Sequence, residues 1–254
     1  MWGDVWEKAK ALLTRGRPAG GASGEGLDPE TVKEVRAAIM KNGAKIPPHM
    51  PLTEIRFVSL DLETTGFSYG TGDEIIAVGA VAVQGGRIKR EDGFHRFIYP
   101  YRLVPGKVVR LTGIGPDMLV GCPSFVGILP ALLEYIGDSV IVGHCIDFDL
   151  NFINAKLKKY FGAKIRNRAL DTSVLARVVH PARDDYSLDG LLAFYGVDPA
   201  GRHTAAGDAL LTAQVFLNLL KRLKEHKVYT FADLEHFLKS NQSLCLSTVG
   251  TPGY

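Results

Sequence analysis

The sequence of 254 residues is poor in features that define several protein classes. Its three cysteines form no Cys-x-x-Cys pair, which argues against a disulfide framework or a cysteine zinc site and favours the reducing cytoplasm. No stretch approaches the roughly 18 uncharged apolar residues of a spanning helix, so we expect no membrane partner. The N-terminus also lacks the uninterrupted apolar core of a secretory signal.

A large excess of charge of either sign is also missing. The formal net charge of +3 permits a nucleic-acid partner but does not require one. A hydrophobic content of 46% and a charged content of 22% are typical of globular proteins and exclude wholesale disorder. The length predicts either one large domain or one domain with an extension. We divide the chain into an N-terminal helical extension and linker (1–50), a main domain (51–227), and a C-terminal helix and tail (228–254).

The extension contains two predicted helices joined by a linker at 16–26 that is rich in Gly, Ala, Ser and Pro. The first, at 5–13, is short and amphipathic. The second has clear start and stop signals and one apolar face. Its signals are Asp28 as N-cap, Pro29 at the first helical position, Leu27 facing Val32, Val35 and Ile39 along the apolar face, and Gly43 after the end. We interpret the extension as an arm that packs on the domain or contacts a partner, with partial disorder as the alternative.

The main domain begins with apolar runs and continues with helical patterns. Strands are predicted at 55–62, 74–83, 87–99 and 139–142, and helices at 124–136, 148–161, 172–179, 187–195, 205–226 and 230–240. Pro130 falls inside the helix at 124–136 and is expected to kink or split it. Three strands followed by alternating helices and short strands predict an α/β fold, with a mixed sheet flanked by helices.

Two acidic residues lie two positions apart in the segment Leu60-Asp61-Leu62-Glu63-Thr64-Thr65-Gly66. Because side chains alternate along a strand, Asp61 and Glu63 project to one face while Leu60 and Leu62 point into the core. Neighbouring carboxylates repel by about 1–4 kcal/mol at 4 Å, and a hard divalent cation such as Mg²⁺ or Mn²⁺ removes that repulsion. The alternative is a strand that ends in a polar Thr-Thr-Gly turn.

A second acidic segment, Gly143-His144-Cys145-Ile146-Asp147-Phe148-Asp149, joins a buried strand to a helix. Asp149 would lie in the first helical turn, with Phe148 and Phe152 four positions apart on an apolar face. Asp147 is a competing acid. The alternative is an ordinary helix start, with Asp147 as N-cap and Asp149 favoured by the helix dipole.

The third segment, His203-Thr204-Ala205-Ala206-Gly207-Asp208, opens a long helix. His203 precedes Asp208 by five positions, and the small residues between them would let the helix approach the sheet closely. The apolar stripe of this helix carries Leu211, Val215, Leu219 and Leu223. The alternative is a capping histidine followed by a solvated aspartate.

Together and in this order, the three segments resemble the DEDDh branch of the 3′–5′ exonucleases. The similarity covers roughly residues 54–224 and is strongest to the epsilon proofreading subunit and to PolC-type exonuclease domains. Thr204 stands where the DEDDy branch has tyrosine, and Cys145 departs from the asparagine that usually follows His144. The resemblance implies an RNase H-like fold with a five-stranded mixed sheet.

The resemblance also implies the site and its cofactor. Asp61, Glu63, Asp149 and Asp208 would hold two metal ions, Mg²⁺ or Mn²⁺, and His203 would be the general base. Residues expected to contact the 3′-terminal nucleotide are Thr64, Thr65, Phe67, Ile114, Met118 and His144. A basic run at 156–168, without an acidic residue, could follow the strand, or it could be a solvated surface.

The predicted function is metal-dependent 3′–5′ hydrolysis of single-stranded DNA ends to nucleoside 5′-monophosphates, in proofreading or DNA repair. One alternative is an RNA-trimming exoribonuclease of the same family. Another is a non-catalytic nucleic-acid-binding accessory module of a polymerase. A DNA polymerase or sliding clamp is the expected protein partner: residues 1–50 and 228–254 could dock on a polymerase, and the tail at 241–246 faintly resembles clamp-binding peptides. A plain helix exit is the alternative interpretation of that tail.

Overall fold

A computed structural model describes residue 27 and the ranges 29–43 and 45–241. The predicted helix at 5–13, the linker at 16–26, the cap Asp28 and the tail beyond residue 241 lie outside the described residues. None of the described helices is long and apolar enough to span a membrane.

A five-stranded mixed sheet forms the centre of the domain, as the sequence and the resemblance predict. Its strands are β1 (Phe57–Thr64), β2 (Ile75–Gln84), β3 (Arg87–Phe97), β4 (Val140–Gly143) and β5 (Ala169–Asp171). The spatial order is β3-β2-β1-β4-β5. β1 and β3 each pair antiparallel with β2, whereas β4 pairs parallel with β1 and with β5. The carboxyl ends of β1, β4 and β5 therefore meet at one edge of the sheet.

Helices cover both faces of this sheet. They are α1 (Pro29–Lys41), α2 (Gly106–Thr112), α3 (Pro116–Leu119), α4 (Phe125–Ile136), α5 (Asp147–Phe161), α6 (Thr172–Val179), α7 (Leu188–Tyr195), α8 (Ala205–Glu225) and α9 (Phe231–Ser240). The sequence predicted all of them except α2 and α3, with ends within two residues of those observed. The expected α/β fold class is confirmed.

Pro130 does not split the helix that contains it, contrary to part of the expectation. α4 runs from Phe125 to Ile136 as one element, and the Ser124 side chain caps its start by accepting from the Gly127 amide. Pro130 removes one backbone hydrogen bond, but Leu129 and Leu132 on either side are fully buried. Burial of the apolar face holds the helix together across the missing bond.

Two apolar clusters separate the helices into layers. α6, α7, α8 and α9 pack with one face of the sheet, and α1, α4 and α5 pack with the other. In α8 the predicted stripe of Leu211, Val215, Leu219 and Leu223 is buried. The alternation along β1 sends Phe57 to the α8 side and Val58 and Leu60 to the α4 side.

The described part of the N-terminal extension packs on the domain. Val35, Ala38 and Ile39 of α1 join the same core cluster as α4 and α5, and Gly43 takes a left-handed φ of 74° after the helix. The segment 48–52 is hydrogen bonded to 229–232 through the Leu52 amide and the Tyr229 carbonyl, among others. The division of the chain at residues 51 and 228 stays a prediction.

A glycine in β2 brings α8 down onto the sheet. Gly79 lies opposite Asp61 in the β1–β2 ladder. A Cβ at Gly79 would stand 2.1 Å from the backbone oxygen of Ala205, the first residue of α8. Only glycine allows this approach, which puts the first turn of α8 beside the acidic part of β1.

Candidate active site

Three carboxylates from two elements converge at the carboxyl end of β1. Asp61 and Glu63 project together while Leu60 and Leu62 are buried on the opposite side, as the alternation predicts. Asp208 reaches them from the first turn of α8. One oxygen of each of the three carboxylates lies within 4.8 Å of the others. Asp61 and Asp208 are 147 positions apart in the sequence, so only the fold brings Asp208 to the other two acids.

The start of α8 is built to present Asp208. The Thr204 hydroxyl caps the helix by accepting from the Gly207 amide at 3.1 Å. A Cβ on Gly207 would lie 1.8 Å from the Gly201 carbonyl oxygen, so a side chain here would displace the preceding loop. The predicted capping function thus belongs to Thr204, and His203 lies one residue before it.

Asp149 rather than Asp147 reaches the site. Asp149 is only 4% exposed, and its Oδ1 accepts from the Leu62 amide of β1 at 2.9 Å. Asp147 is exposed and occupies the first position of α5, since the N-cap is Ile146. The interpretation of Asp147 as an N-cap is therefore wrong. Asp149 does not belong to the trio formed by Asp61, Glu63 and Asp208, but its charge contributes to the raised pKa of Asp61.

Crowding and burial raise the pKa values of these acids. Burial, followed by the charges of Asp149 and Asp208, raises the pKa of Asp61 well above its ordinary value. Burial and then Asp208 raise the pKa of Glu63 from 4.5 to about 7. Burial also raises the pKa of Asp149, although the Leu62 amide opposes the shift. The site is thus a concentration of negative charge that a cation would relieve.

The donor set fits a hard divalent cation. The converging ligands are carboxylate oxygens, which Mg²⁺ and Mn²⁺ prefer. Asp208 Oδ1 is buried and has no hydrogen-bond partner among the described residues, so it lacks the compensation that a buried carboxylate oxygen needs. A metal ligated by that oxygen would supply it. Divalent-metal chemistry therefore agrees with the residues present.

An arginine that sequence reasoning missed lies against the trio. Arg202 Nη1 donates to Asp208 Oδ2 at 2.6 Å, and Nε and Nη2 donate to Asp189 at 2.6 and 3.1 Å. Arg202 immediately precedes His203, and that adjacency was the only sequence signal. Its charge lowers the pKa values of Asp61 and Glu63 against the stronger effect of burial.

The two histidines singled out by the sequence occupy different environments. His203 is exposed and has a left-handed φ of 62°, and its amide donates to Asp208 Oδ2 at 3.2 Å. His144 is partly buried, and its Nδ1 lies 3.0 Å from Thr172 Oγ1. Burial lowers the pKa of His144, which favours the neutral ring. Thr172 therefore supports His144 even though Cys145 replaces the usual asparagine. Cys145 adopts the left-handed φ of 58° that asparagine tolerates well.

The two threonines after Glu63 are engaged in the turn. The Thr65 side chain is buried and contacts Asp73, and its amide donates to the Glu74 carbonyl at 2.8 Å. The Thr65 amide is thus already used within the fold. The Thr64 hydroxyl donates to the Gly66 carbonyl at 2.6 Å, and the Thr64 side chain is partly exposed. Of the two, Thr64 is the more accessible.

The apolar residues expected to contact bases divide by exposure. Phe67 is 57% exposed and its ring lies 5.9 Å from that of Phe148, so it can offer an aromatic surface. Met118 is 46% exposed on α3. Ile114 is only 3% exposed and packs in a small cluster with Ile76 and Leu119, which leaves it little surface for a base.

The basic run at 156–168 does not form one continuous strip. Lys156 is buried and pairs with Glu74, and Arg168 pairs with Glu235. Arg166 donates to the Met40 carbonyl of α1 at 3.4 Å. The lysines at 158, 159 and 164 remain exposed. Three of the six basic residues thus make contacts within the fold, and the three exposed lysines fit both interpretations of the run, a path for the strand and a solvated surface.

The sheet order and the gathered acids define an RNase H-like nuclease domain. Residues 58–216 match the model of the RNase T exonuclease family, and the chain belongs to that family of exonucleases. The solved nuclease domain of 3′hExo, a DEDDh family member bound to rAMP, superimposes with a TM-score of 0.58 at 18% identity. That superposition covers 67% of this chain and 94% of that one. The predicted resemblance is confirmed.

Two relatives connect the family to DNA replication. The chain is 42% identical over 167 residues to the DNA polymerase III subunit epsilon of Aquifex aeolicus, covering 66% of this chain and 81% of that protein. It is 38% identical over 179 residues to the DNA polymerase III PolC-type of Thermotoga maritima, covering 70% of this chain. The match spans only 13% of that much longer protein.

Proposed function

We propose that this exonuclease hydrolyses single-stranded DNA from the 3′ end, with Mg²⁺ or Mn²⁺ as cofactor, and releases nucleoside 5′-monophosphates. The observation that carries the proposal is the convergence of Asp61, Glu63 and Asp208, with Asp149 beside them. Burying several carboxylates together raises the free energy of the folded protein unless a cation neutralises them. The relatives in DNA polymerase III favour DNA over RNA as the substrate and a part in proofreading. The free thiols of Cys122 and Cys145 favour the reducing cytoplasm as the location.

The residues of the chain have distinct parts in the proposed reaction. Asp61, Glu63, Asp149 and Asp208 would hold two cations, which when bound neutralise the phosphate and ease ionisation of water. The exposed His203, whose amide is fixed to Asp208, would accept the proton of the attacking water. Water adds to the phosphorus of the terminal phosphodiester, the bond from phosphorus to the 3′-oxygen of the penultimate nucleotide breaks, and that oxygen takes up a proton to become the new 3′-hydroxyl.

Selection of the 3′ end would come from the surroundings of the acids. Thr64 is the candidate to contact the terminal 3′-hydroxyl. Phe67, supported by Phe148, is the candidate surface on which the last base stacks. Stacking contributes about 1–3 kcal/mol per base and accepts any base, as a nonspecific exonuclease requires. His144 and Met118 would complete the pocket, and a polymerase is the proposed protein partner.

The test is a 5′-labelled single-stranded DNA oligonucleotide, with an RNA of the same sequence, incubated with Mg²⁺, Mn²⁺ or EDTA. Wild-type protein should give a ladder that shortens from the 3′ end with metal only, and faster on DNA. Asp208→Asn should abolish cleavage and retain binding, whereas Asp184→Asn, at an exposed position, should behave as wild type. Faster cleavage of RNA would favour the exoribonuclease, and binding without cleavage would favour the accessory module.

A further inference from the structure

A salt bridge behind the acidic trio connects Asp208 to a second helix. The Arg202 guanidinium spans two carboxylates: Nη1 donates to Asp208 Oδ2, and Nε and Nη2 donate to both oxygens of Asp189. The Asp189 side chain is 64% exposed and lies in the first turn of α7. The side chains of Arg202 and Asp208 are largely buried. The bridge therefore runs from the surface of α7 into the site.

The bridge decides which oxygen of Asp208 is left for a ligand. Oδ2 already accepts from the Arg202 guanidinium at 2.6 Å and from the His203 amide at 3.2 Å. Oδ1 is buried and has no partner among the described residues. Two donors on one oxygen fix the rotation of the carboxylate, and charge-assisted bonds of this kind are the stronger ones. Asp208 is thus held in one orientation before a metal binds.

Asp189 fixes the orientation of the Arg202 side chain. A guanidinium with a single carboxylate partner can swing, whereas a bidentate pair with Asp189 fixes its plane. The bridge also holds the loop that contains His203, since Arg202 and His203 are adjacent and His203 has a left-handed backbone. One exposed carboxylate on α7 thereby controls the geometry of a ligand on α8.

We propose that Arg202 and Asp189 are positioning residues that hold Asp208 ready for metal binding. The proposal rests on the metal site of the proposed function. Outer partners of metal ligands commonly change metal affinity by 10–100-fold when removed. Loss of the Arg202 side chain should therefore weaken metal binding about tenfold, and loss of the Asp189 charge should weaken it in the same direction by a smaller factor.

The test is calorimetric titration of metal-free, full-length protein with Mn²⁺, without DNA. The variants are Asp189→Asn, Arg202→Gln, the double variant and Arg202→Lys, with Asp184→Asn as the matched control. Asp189→Asn alters an exposed side chain, which keeps the test usable if an Arg202 variant fails to fold. The double variant should bind Mn²⁺ as Arg202→Gln does, because Asp189 acts through Arg202. Arg202→Lys keeps the charge but cannot span both carboxylates, so it should not restore wild-type affinity.

Turnover on the labelled oligonucleotide supplies an independent readout. At a fixed, subsaturating concentration of Mn²⁺, kcat of Asp189→Asn should fall while KM for DNA stays unchanged. Saturating Mn²⁺ should restore kcat.

Three results would overturn the assignment. Unchanged Mn²⁺ affinity in Asp189→Asn and Arg202→Gln would remove the positioning function while leaving the metal site in place. Tighter binding would show that Arg202 competes with the cation for Asp208. Wild-type Mn²⁺ affinity in Arg202→Lys would show that the positive charge matters and the bidentate geometry of the guanidinium does not. Wild-type protein that binds no Mn²⁺ would instead refute the proposed metal site, and this assignment with it.

Discussion

Removal of one charge from the acidic trio should stabilise the metal-free protein. Carboxylate oxygens within 4.8 Å of one another repel by at least about 3 kcal/mol at an effective dielectric near 20. The pKa of Glu63, raised from 4.5 to about 7, corresponds to a similar figure of about 3 kcal/mol. At pH 8 in EDTA, Glu63→Gln should therefore melt above wild type, by up to about 6–12 °C for a domain of this size.

The stability of the metal-free protein should depend on pH through Glu63. Between pH 4.5 and about 7 the folded state holds the Glu63 proton more tightly than the unfolded state does. Stability in EDTA therefore falls as the pH rises through this window, and the loss is complete above it. Below pH 4.5 the carboxyl is protonated in both states and Glu63→Gln should gain nothing. The melting difference between the two proteins should thus grow from pH 4.5 to pH 8.

Divalent cations should remove most of the stability advantage of Glu63→Gln over wild type. A cation present at 100 times its dissociation constant stabilises by about 2.7 kcal/mol, and Glu63→Gln has lost a ligand. Melting curves at pH 5, 6, 7 and 8 in EDTA and in Mn²⁺ measure both effects. If wild type and Glu63→Gln show parallel pH profiles in EDTA, then Glu63 is not electrostatically strained and the reasoning fails.

Two further changes test the packing that supports the site. Gly79→Ala should lower the free energy of unfolding in urea by at least about 2 kcal/mol, because its Cβ would meet the backbone of Ala205. Gly70→Ala is the control: a Cβ there has nothing within 4 Å, so the free energy of unfolding should change by less than about 0.5 kcal/mol. Equal midpoints would contradict the close approach of α8. Ile39→Ala in α1 should cost about 2–5 kcal/mol, and Arg36→Ala on the exposed face of the same helix should be nearly neutral. If Ile39→Ala unfolds at the wild-type urea concentration, α1 is not part of the cooperative unit.

The sequence predicts the elements of this fold well wherever the pattern is strong and local. The run at 74–83 is almost entirely apolar, and β2 is buried along nearly its whole length. β5 has three residues, too few for a pattern, and only the family resemblance implied it. The effect of Pro130 on the helix was overestimated. The cost of a missing hydrogen bond can be read from the local sequence, whereas the burial that stabilises α4 is a property of the tertiary structure.

The acidic residues of the site were also predictable from the sequence, but the partners that hold the surrounding side chains were not. Strand alternation identifies Asp61 and Glu63 as neighbours without further information. The choice between Asp147 and Asp149 required the family register, and burial then distinguished them. The pairing of Lys156 with Glu74 joins residues 82 positions apart. Nothing in a local pattern indicates such a partner, which is why the basic run was interpreted as one surface.

The position of α8 near the end of the domain has a consequence for protein synthesis. A growing chain emerges with Asp61 and Glu63 first and Asp149 later, and it has no Asp208 until α8 has been made. α8 must then pack over Gly79 before the third carboxylate reaches the other two. Contacts between segments so distant in sequence are slow to form. An unfinished polypeptide therefore carries no complete acidic trio, and the three carboxylates come together only in a nearly finished domain.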